Sequence, residues 1–168
     1  LGVKYGAKAV ILCTGTFLNG NYIMGDVKYS AGRQGEPASD DLADRLAEYG
    51  FELDRYQTAT PPRIDKRTID FSKMEELKGE EKPRYFSYDT QKEYNATLPT
   101  WLTFTTEKTI EVGKEMLKYS PIVTGIVSTK GPRHCPSLDR KILNFPEKTN
   151  HQIFLEQETI ESNEIYVN

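Results

Sequence analysis

Near its start the chain carries Lys8-Ala9-Val10-Ile11-Leu12-Cys13, an unbroken apolar run that leads straight into Thr14-Gly15-Thr16. Alternation would mark a strand with one wet face, whereas a short continuous run predicts a strand covered on both faces, as in a parallel sheet flanked by helices. A glycine turn at the carboxyl end of such a strand is where open α/β sheets receive nucleotides, because backbone can approach the ligand there. Any buried strand needs an exit turn, so the turn alone assigns no ligand.

Composition narrows the classes. The chain has 168 residues, is 37% hydrophobic and 28% charged, and has no apolar stretch near the ~20 residues a membrane-spanning helix requires. Cys13 and Cys135 are its two cysteines, which make neither a disulfide framework nor a zinc site and predict a reducing cytoplasm. A net charge of -3 argues against wrapping nucleic acid over the whole surface and leaves room for a local basic patch. The start at Leu1 and the stop after the strand-like Glu164-Ile165-Tyr166-Val167 read as interior positions of a longer protein.

Periodicity and punctuation set the elements. Glycines and polar residues from Gly20 to Pro37 predict a short strand and loop. Ser39 is then expected to cap a helix through Tyr49, with Asp40 and Asp41 on its positive end, Leu42, Leu46 and Tyr49 on one face, and Gly50 as the stop. Phe51 to Tyr56 alternates like a half-buried strand. The prolines of Thr60-Pro61-Pro62-Arg63-Ile64-Asp65 forbid helix, and Arg63, Lys66 and Arg67 form either a phosphate site or a solvated charged face. Residues 73–95 read as a partly irregular surface segment. Leu98 to Thr105 predicts a strand whose Trp101 either fills a core or stacks on a base. A helix from Thr106 to about Lys118, strands at Ile122–Val127, His151–Glu156 and Glu164–Val167, and a helix with Leu138, Ile142 and Phe145 on one stripe complete the expectation.

The richest chemistry lies in Gly131-Pro132-Arg133-His134-Cys135-Pro136-Ser137-Leu138-Asp139. Proline suits the first helical position, so Pro136 predicts Cys135 at an N-cap, where converging N–H groups favour a thiolate or a phosphate. Arg133 and His134 add positive potential, and thiols in such settings are acidified to ~3.5–7.5 from ~8.5. The plain alternative is a buried structural cysteine beside an ordinary helix start.

Together, Ile11-Leu12-Cys13-Thr14-Gly15-Thr16-Phe17-Leu18-Asn19-Gly20, Tyr29-Ser30-Ala31-Gly32-Arg33, Thr60-Pro61-Pro62-Arg63-Ile64-Asp65, Thr68-Ile69-Asp70-Phe71, Gly131 to Ser137 and Asn150-His151-Gln152-Ile153-Phe154-Leu155-Glu156 closely resemble the MnmG (GidA) family. The blocks occur in that family's order over nearly the whole chain. The resemblance implies a flavoprotein that, with the GTPase MnmE, adds an aminomethyl or carboxymethylaminomethyl group to carbon 5 of the wobble uridine of certain tRNAs. FAD, NADH and a methylene-tetrahydrofolate carbon donor, a cytoplasmic homodimeric parent and no membrane partner come with it. So does an α/β, mixed α+β fold: a partial FAD/NAD(P)-binding fold with an inserted strand-and-helix domain. Residues 1–36 would end the first part of the FAD-binding domain, 37–130 would be the inserted domain, and 131–168 would carry the nicotinamide-site helix and the return to the FAD-binding domain. The isolated stretch is expected to be inactive.

Carried over by position, Ser39 falls on a flavin contact, although a plain N-cap explains it equally well. Gly131, Pro132, Arg133, His134, Cys135, Pro136, Ser137 and Leu138 match the first part of the segment assigned to NAD, and Asp139, Arg140, Lys141, Ile142, Leu143, Asn144 and Phe145 complete it. Cys135 matches a required cysteine, as nucleophile at uridine carbon 6 or as a proton-transfer group; no metal ligand is implied. Ala59 and His134 depart from the family's usual glycine and tyrosine. A folate- and FAD-dependent tRNA uridine methyltransferase, and a non-catalytic RNA-binding or assembly module, are the competing readings.

Overall fold

The computed structural model describes residues 2–82, 84–90, 98–129 and 137–168. They form two compact units, one of residues 2–56 with 118–129 and one of 57–117 with 137–168.

In the first unit, β1 (Asn21–Met24) and β2 (Val27–Ser30) make an antiparallel hairpin. Gly25, at φ 59°, supplies the positive φ that its tight turn demands. Tyr22 and Tyr29 face each other across the strands with ring centroids 5.3 Å apart. The hairpin joins the Thr14–Gly20 turn through the Ala31 N–H, which donates to the Gly20 carbonyl at 3.1 Å. A β-carbon on Gly20 would lie 2.3 Å from the Thr16 carbonyl oxygen and 2.6 Å from that of Ala31, so the close approach requires glycine. Helix α1 (Asp40–Glu48) follows with Ser39 at its N-cap and acidic residues in its first turn, as the sequence predicts. Its buried residue is Ala43, whereas Leu42 and Tyr49 are exposed, so the expected apolar stripe does not define the packed face.

The second unit is a five-stranded antiparallel sheet in the order β3-β7-β6-β5-β4, formed by β3 (Arg63–Asp65), β4 (Glu75–Leu77), β5 (Thr100–Phe104), β6 (Gln152–Gln157) and β7 (Glu164–Val167). Ile165 is fully buried and Leu155 nearly so. Trp101 lies 4.3 Å from the Phe71 ring, which settles it as a packing residue. Helix α2 (Glu107–Met116) begins in a capping box: Thr109 N–H donates to Thr106 Oγ1, and Thr106 N–H to Thr109 Oγ1, both at 3.3 Å. It packs against α3 (Leu138–Asn144). Gly113 lets the buried Ile142 in, since a β-carbon there would stand 2.5 Å from Ile142 Cδ1.

Three expected strands do not form, two of them because an extended segment needs a neighbour to accept its hydrogen bonds and cover its side chains. Residues 8–13 are not a buried parallel strand; Val10 and Ile11 are 80% and 86% exposed, and no described strand pairs with them. Phe51 to Tyr56 is likewise exposed and unpaired as a strand. Residues 122–127 curl instead of extending, because Thr124 N–H bonds back to the Ser120 carbonyl and Val127 N–H to that of Pro121, both at 2.9 Å. Gly125, at φ 79°, continues the turn. The sheets among the described residues are antiparallel, and the fold is mixed α/β with helices set beside them.

Candidate functional site

Ser39 sits where the Thr14–Gly20 turn meets α1. Its N–H donates to the Phe17 carbonyl at 2.8 Å and its carbonyl accepts from Asn19 N–H at 3.2 Å. Two backbone bonds thus fix the residue while its hydroxyl makes no capping bond and stays exposed. Beside it, Thr16 Oγ1 donates to the Gly32 carbonyl at 2.7 Å, and the Phe17 ring fills the space where a Gly32 side chain would stand. A held backbone with an uncommitted hydroxyl fits a single hydrogen-bonding contact to a cofactor. Asp40 and Asp41 in the next turn oppose a phosphate at the same helix end.

The second expected site divides. Gly131 to Pro136, including Arg133, His134 and Cys135, lie outside the described residues. The helix after them starts later than Pro136 predicts: the N-cap is Ser137, in extended geometry, and Leu138 is the first helical residue. The N-cap of α3 expected at Cys135 is therefore corrected to Ser137, because Ser137 is extended (φ -63°, ψ 162°) and the helical turn begins only after it. Ser137 Oγ donates to the Asp139 carboxylate, which also accepts from Arg140 N–H. This short helix thus brings its own anion to its amino end. Ile142 is buried, Leu138, Leu143, Asn144 and Phe145 are exposed, and Lys141 is half-buried.

The basic trio near residue 65 is committed inside the fold. Arg63 Nε donates to Glu158 Oε2 at 3.0 Å and its guanidinium stands 4.5 Å from the Tyr166 ring centre. Lys66 reaches Gln157 at 3.1 Å, and Arg67 holds the Asp65 carboxyl down to about 2. These contacts favour the structural alternative over a phosphate site.

A cleft that sequence reasoning did not find lies at the β5–β6 junction. It is an open depression of about 590 Å³ lined by Phe104, Lys141, Phe145, the 147–150 turn, His151 and Gln152. His151 N–H donates to Thr105 Oγ1 at 2.8 Å and its carbonyl accepts from Thr105 N–H at 2.9 Å. Its side chain is buried, and Nε2 has no hydrogen-bond partner among the described residues. Burial pushes the imidazole below its ordinary range, Lys141 and Lys148 push the same way, and Glu147 opposes them. A lowered folded-state value means that the unfolded chain binds more protons as pH falls through about 6.5, so this group's contribution to stability is greatest above that pH and declines below it. His151→Gln is accordingly expected to flatten the loss of stability between about pH 7.5 and 5.5. Denaturant unfolding at the two pH values checks this; an undiminished slope in the variant would assign the pH dependence elsewhere.

Among the described residues no group of three or more His, Cys, Asp and Glu side chains could hold a metal ion, and no helix is long and apolar enough to cross a membrane.

An antiparallel sheet backed by two helices, with a glycine-shaped turn and hairpin in the other unit, defines a mixed α/β protein. The chain belongs to the family described as glucose inhibited division protein A, whose model matches residues 1–168. It is 66% identical over 168 residues to the tRNA uridine 5-carboxymethylaminomethyl modification enzyme MnmG 1 of Fusobacterium nucleatum subsp. nucleatum, covering 100% of this chain and 27% of that protein. It is 50% identical over 166 residues to the MnmG enzyme of Geobacillus thermodenitrificans, covering 99% and 26%. The solved structure of Aquifex aeolicus GidA in its form I crystal superposes with a TM-score of 0.82 at 43% identity, covering 99% of this chain and 29% of that one. The chain thus spans about a quarter of the length of the curated relatives it matches.

Proposed function

We propose that this chain is a central part of an enzyme that, with the GTPase MnmE, adds a (carboxymethyl)aminomethyl group to carbon 5 of the tRNA wobble uridine, using FAD, NADH and a methylene-tetrahydrofolate carbon donor. The observation that supports this most is the 66% identity, unbroken over all 168 residues, to a protein whose name states that modification. The parent acts in the cytoplasm as a homodimer.

In this reading residues 1–36 end the first part of the FAD-binding domain. Because residues 152–167 share one sheet with 63–104, the inserted domain, expected over 37–130, would also take in those strands, which a boundary at 131 assigns to the FAD-binding domain. Ser39 would offer its uncommitted hydroxyl to FAD, which supplies two-electron transfer when bound. Residues Gly131 to Phe145 would carry the nicotinamide coenzyme, Arg133 supplying positive charge for its phosphates. Since Asp139 already occupies the amino end of α3, that charge has to come from side chains more than from the helix dipole. As nucleophile, the Cys135 thiolate would add to carbon 6 of uridine, the electron-rich carbon 5 would bond to the one-carbon unit, an amine would displace the folate nitrogen from that carbon, and loss of the carbon 5 proton would expel the thiolate; as a proton-transfer group, Cys135 would move that proton instead.

Mass analysis of wobble nucleosides from cells lacking the gene tests the assignment. The (carboxymethyl)aminomethyl uridines should disappear, and nucleosides identical to those of the parent strain would refute it.

A further inference from the structure

Of the residues lining the cleft beside His151, Lys141 and Phe145 belong to the segment proposed for the nicotinamide coenzyme, whereas Phe104 and the residues from Glu147 to Gln152 have no part in the reaction above. Lys141 and Lys148 face it against a single acid, Glu147, and Lys114 Nζ donates to the neighbouring Pro146 carbonyl at 3.1 Å. Two large rings line it while remaining open to solvent: Phe104 is 49% and Phe145 44% exposed. The Lys148 ammonium stands 4.7 Å from the Phe145 ring centre. Cations beside open aromatic faces are how proteins hold single-stranded nucleic acid, with phosphate on the charge and a base on the ring. The unpartnered His151 Nε2 adds a polar atom whose burial costs free energy until something bonds to it.

We propose that this cleft receives one nucleotide of a single-stranded RNA segment, its phosphate held by Lys141 and Lys148 and its base laid against Phe104 or Phe145. The inference rests on the reading that the protein acts on tRNA. A volume of about 590 Å³ suits one nucleotide and not a duplex. The cleft lies at the carboxyl end of α3, where the partial charge of the helix disfavours any phosphate, so the hold on an RNA phosphate has to come from the Lys141 and Lys148 side chains.

The test is a titration of the intact protein with a fluorescently labelled anticodon stem-loop RNA carrying the wobble uridine, at several salt concentrations, with NADH titrated in parallel. Lys148→Ala should weaken RNA binding about fivefold and lower the log–log salt slope by about 0.7, the loss of one phosphate contact on a single strand. Lys148→Glu should weaken it more than about tenfold, Lys148→Arg should hold it near the original, and Phe104→Ala should weaken it without changing the salt slope. NADH affinity should stay unchanged throughout. RNA affinity of the Lys148→Glu protein within twofold of the original overturns the inference alone, and so does a loss confined to NADH. Failure of the unaltered protein to bind the RNA overturns the tRNA reading itself, and the inference with it.

Discussion

Serine in place of Cys135 is expected to slow wobble-uridine modification by the intact protein at least about a thousandfold, or ~4 kcal/mol of transition-state stabilisation. The substitution keeps size and hydrogen bonding but removes the polarisable sulfur that the proposed reaction uses, as nucleophile or as proton-transfer group. With the N-cap of α3 at Ser137, the helix dipole acts two residues beyond Cys135, and its effect falls off quickly with distance. Arg133 and His134, adjacent in sequence, are then the groups left to favour the thiolate, so the prediction no longer leans on helix geometry. RNA with 5-fluorouridine at the modified position distinguishes the two chemical roles. A nucleophile should leave a denaturation-resistant protein–RNA adduct in the full reaction mixture, because the fluorine blocks loss from carbon 5; a proton-transfer group should leave none. Turnover by the serine protein at the original rate removes Cys135 from the chemistry altogether.

What could be read from the sequence follows the range over which each signal acts. Helices α1 and α2 were legible because Ser39, Thr106 and the acidic first turns are local instructions, and they begin where the sequence places them. Strands β5, β6 and β7 were legible because partners for all three lie within the chain. Residues 8–13 and 51–56 carry equally strong strand patterns, yet no described strand supplies the other half of the ladder. A hydrophobic pattern specifies which face wants cover and does not supply the cover. The strand at 122–127 failed differently, since the Ser120 and Pro121 carbonyls offered nearer partners than any sheet.

The same distinction runs through the candidate site. Ser39 and the Gly131–Phe145 segment came from a resemblance spread over many blocks, not from one decisive motif. The cleft was hidden because Phe104 and His151 are far apart in sequence and meet only when β5 pairs with β6 in the register Phe104 to Gln152. A histidine opening an alternating strand gives no hint of burial. Its one legible clue was position: it is the second residue of the block Asn150 to Glu156, three residues after Lys148.

Two isoleucines make the dependence on context measurable. Ile165→Ala is expected to cost about 2–5 kcal/mol, because deleting a buried branched side chain loses its transfer free energy and leaves a cavity. Ile165 is fully buried, faces Ile64 on β3 and Gln157 on β6, and so sits where two ladders share one strand. Its removal should lower the unfolding midpoint by roughly 4–20 °C. Ile11→Ala removes the same atoms from a residue that is 86% exposed, and in this chain should change stability by no more than about 0.5 kcal/mol. Thermal unfolding of the two variants, followed by the Trp101 fluorescence that reports on the sheet, gives the comparison. Equal losses would mean that Ile11 is covered after all, restoring the doubly buried strand that its sequence predicts; a small loss at Ile165 would mean that the five-stranded sheet is not the cooperative core.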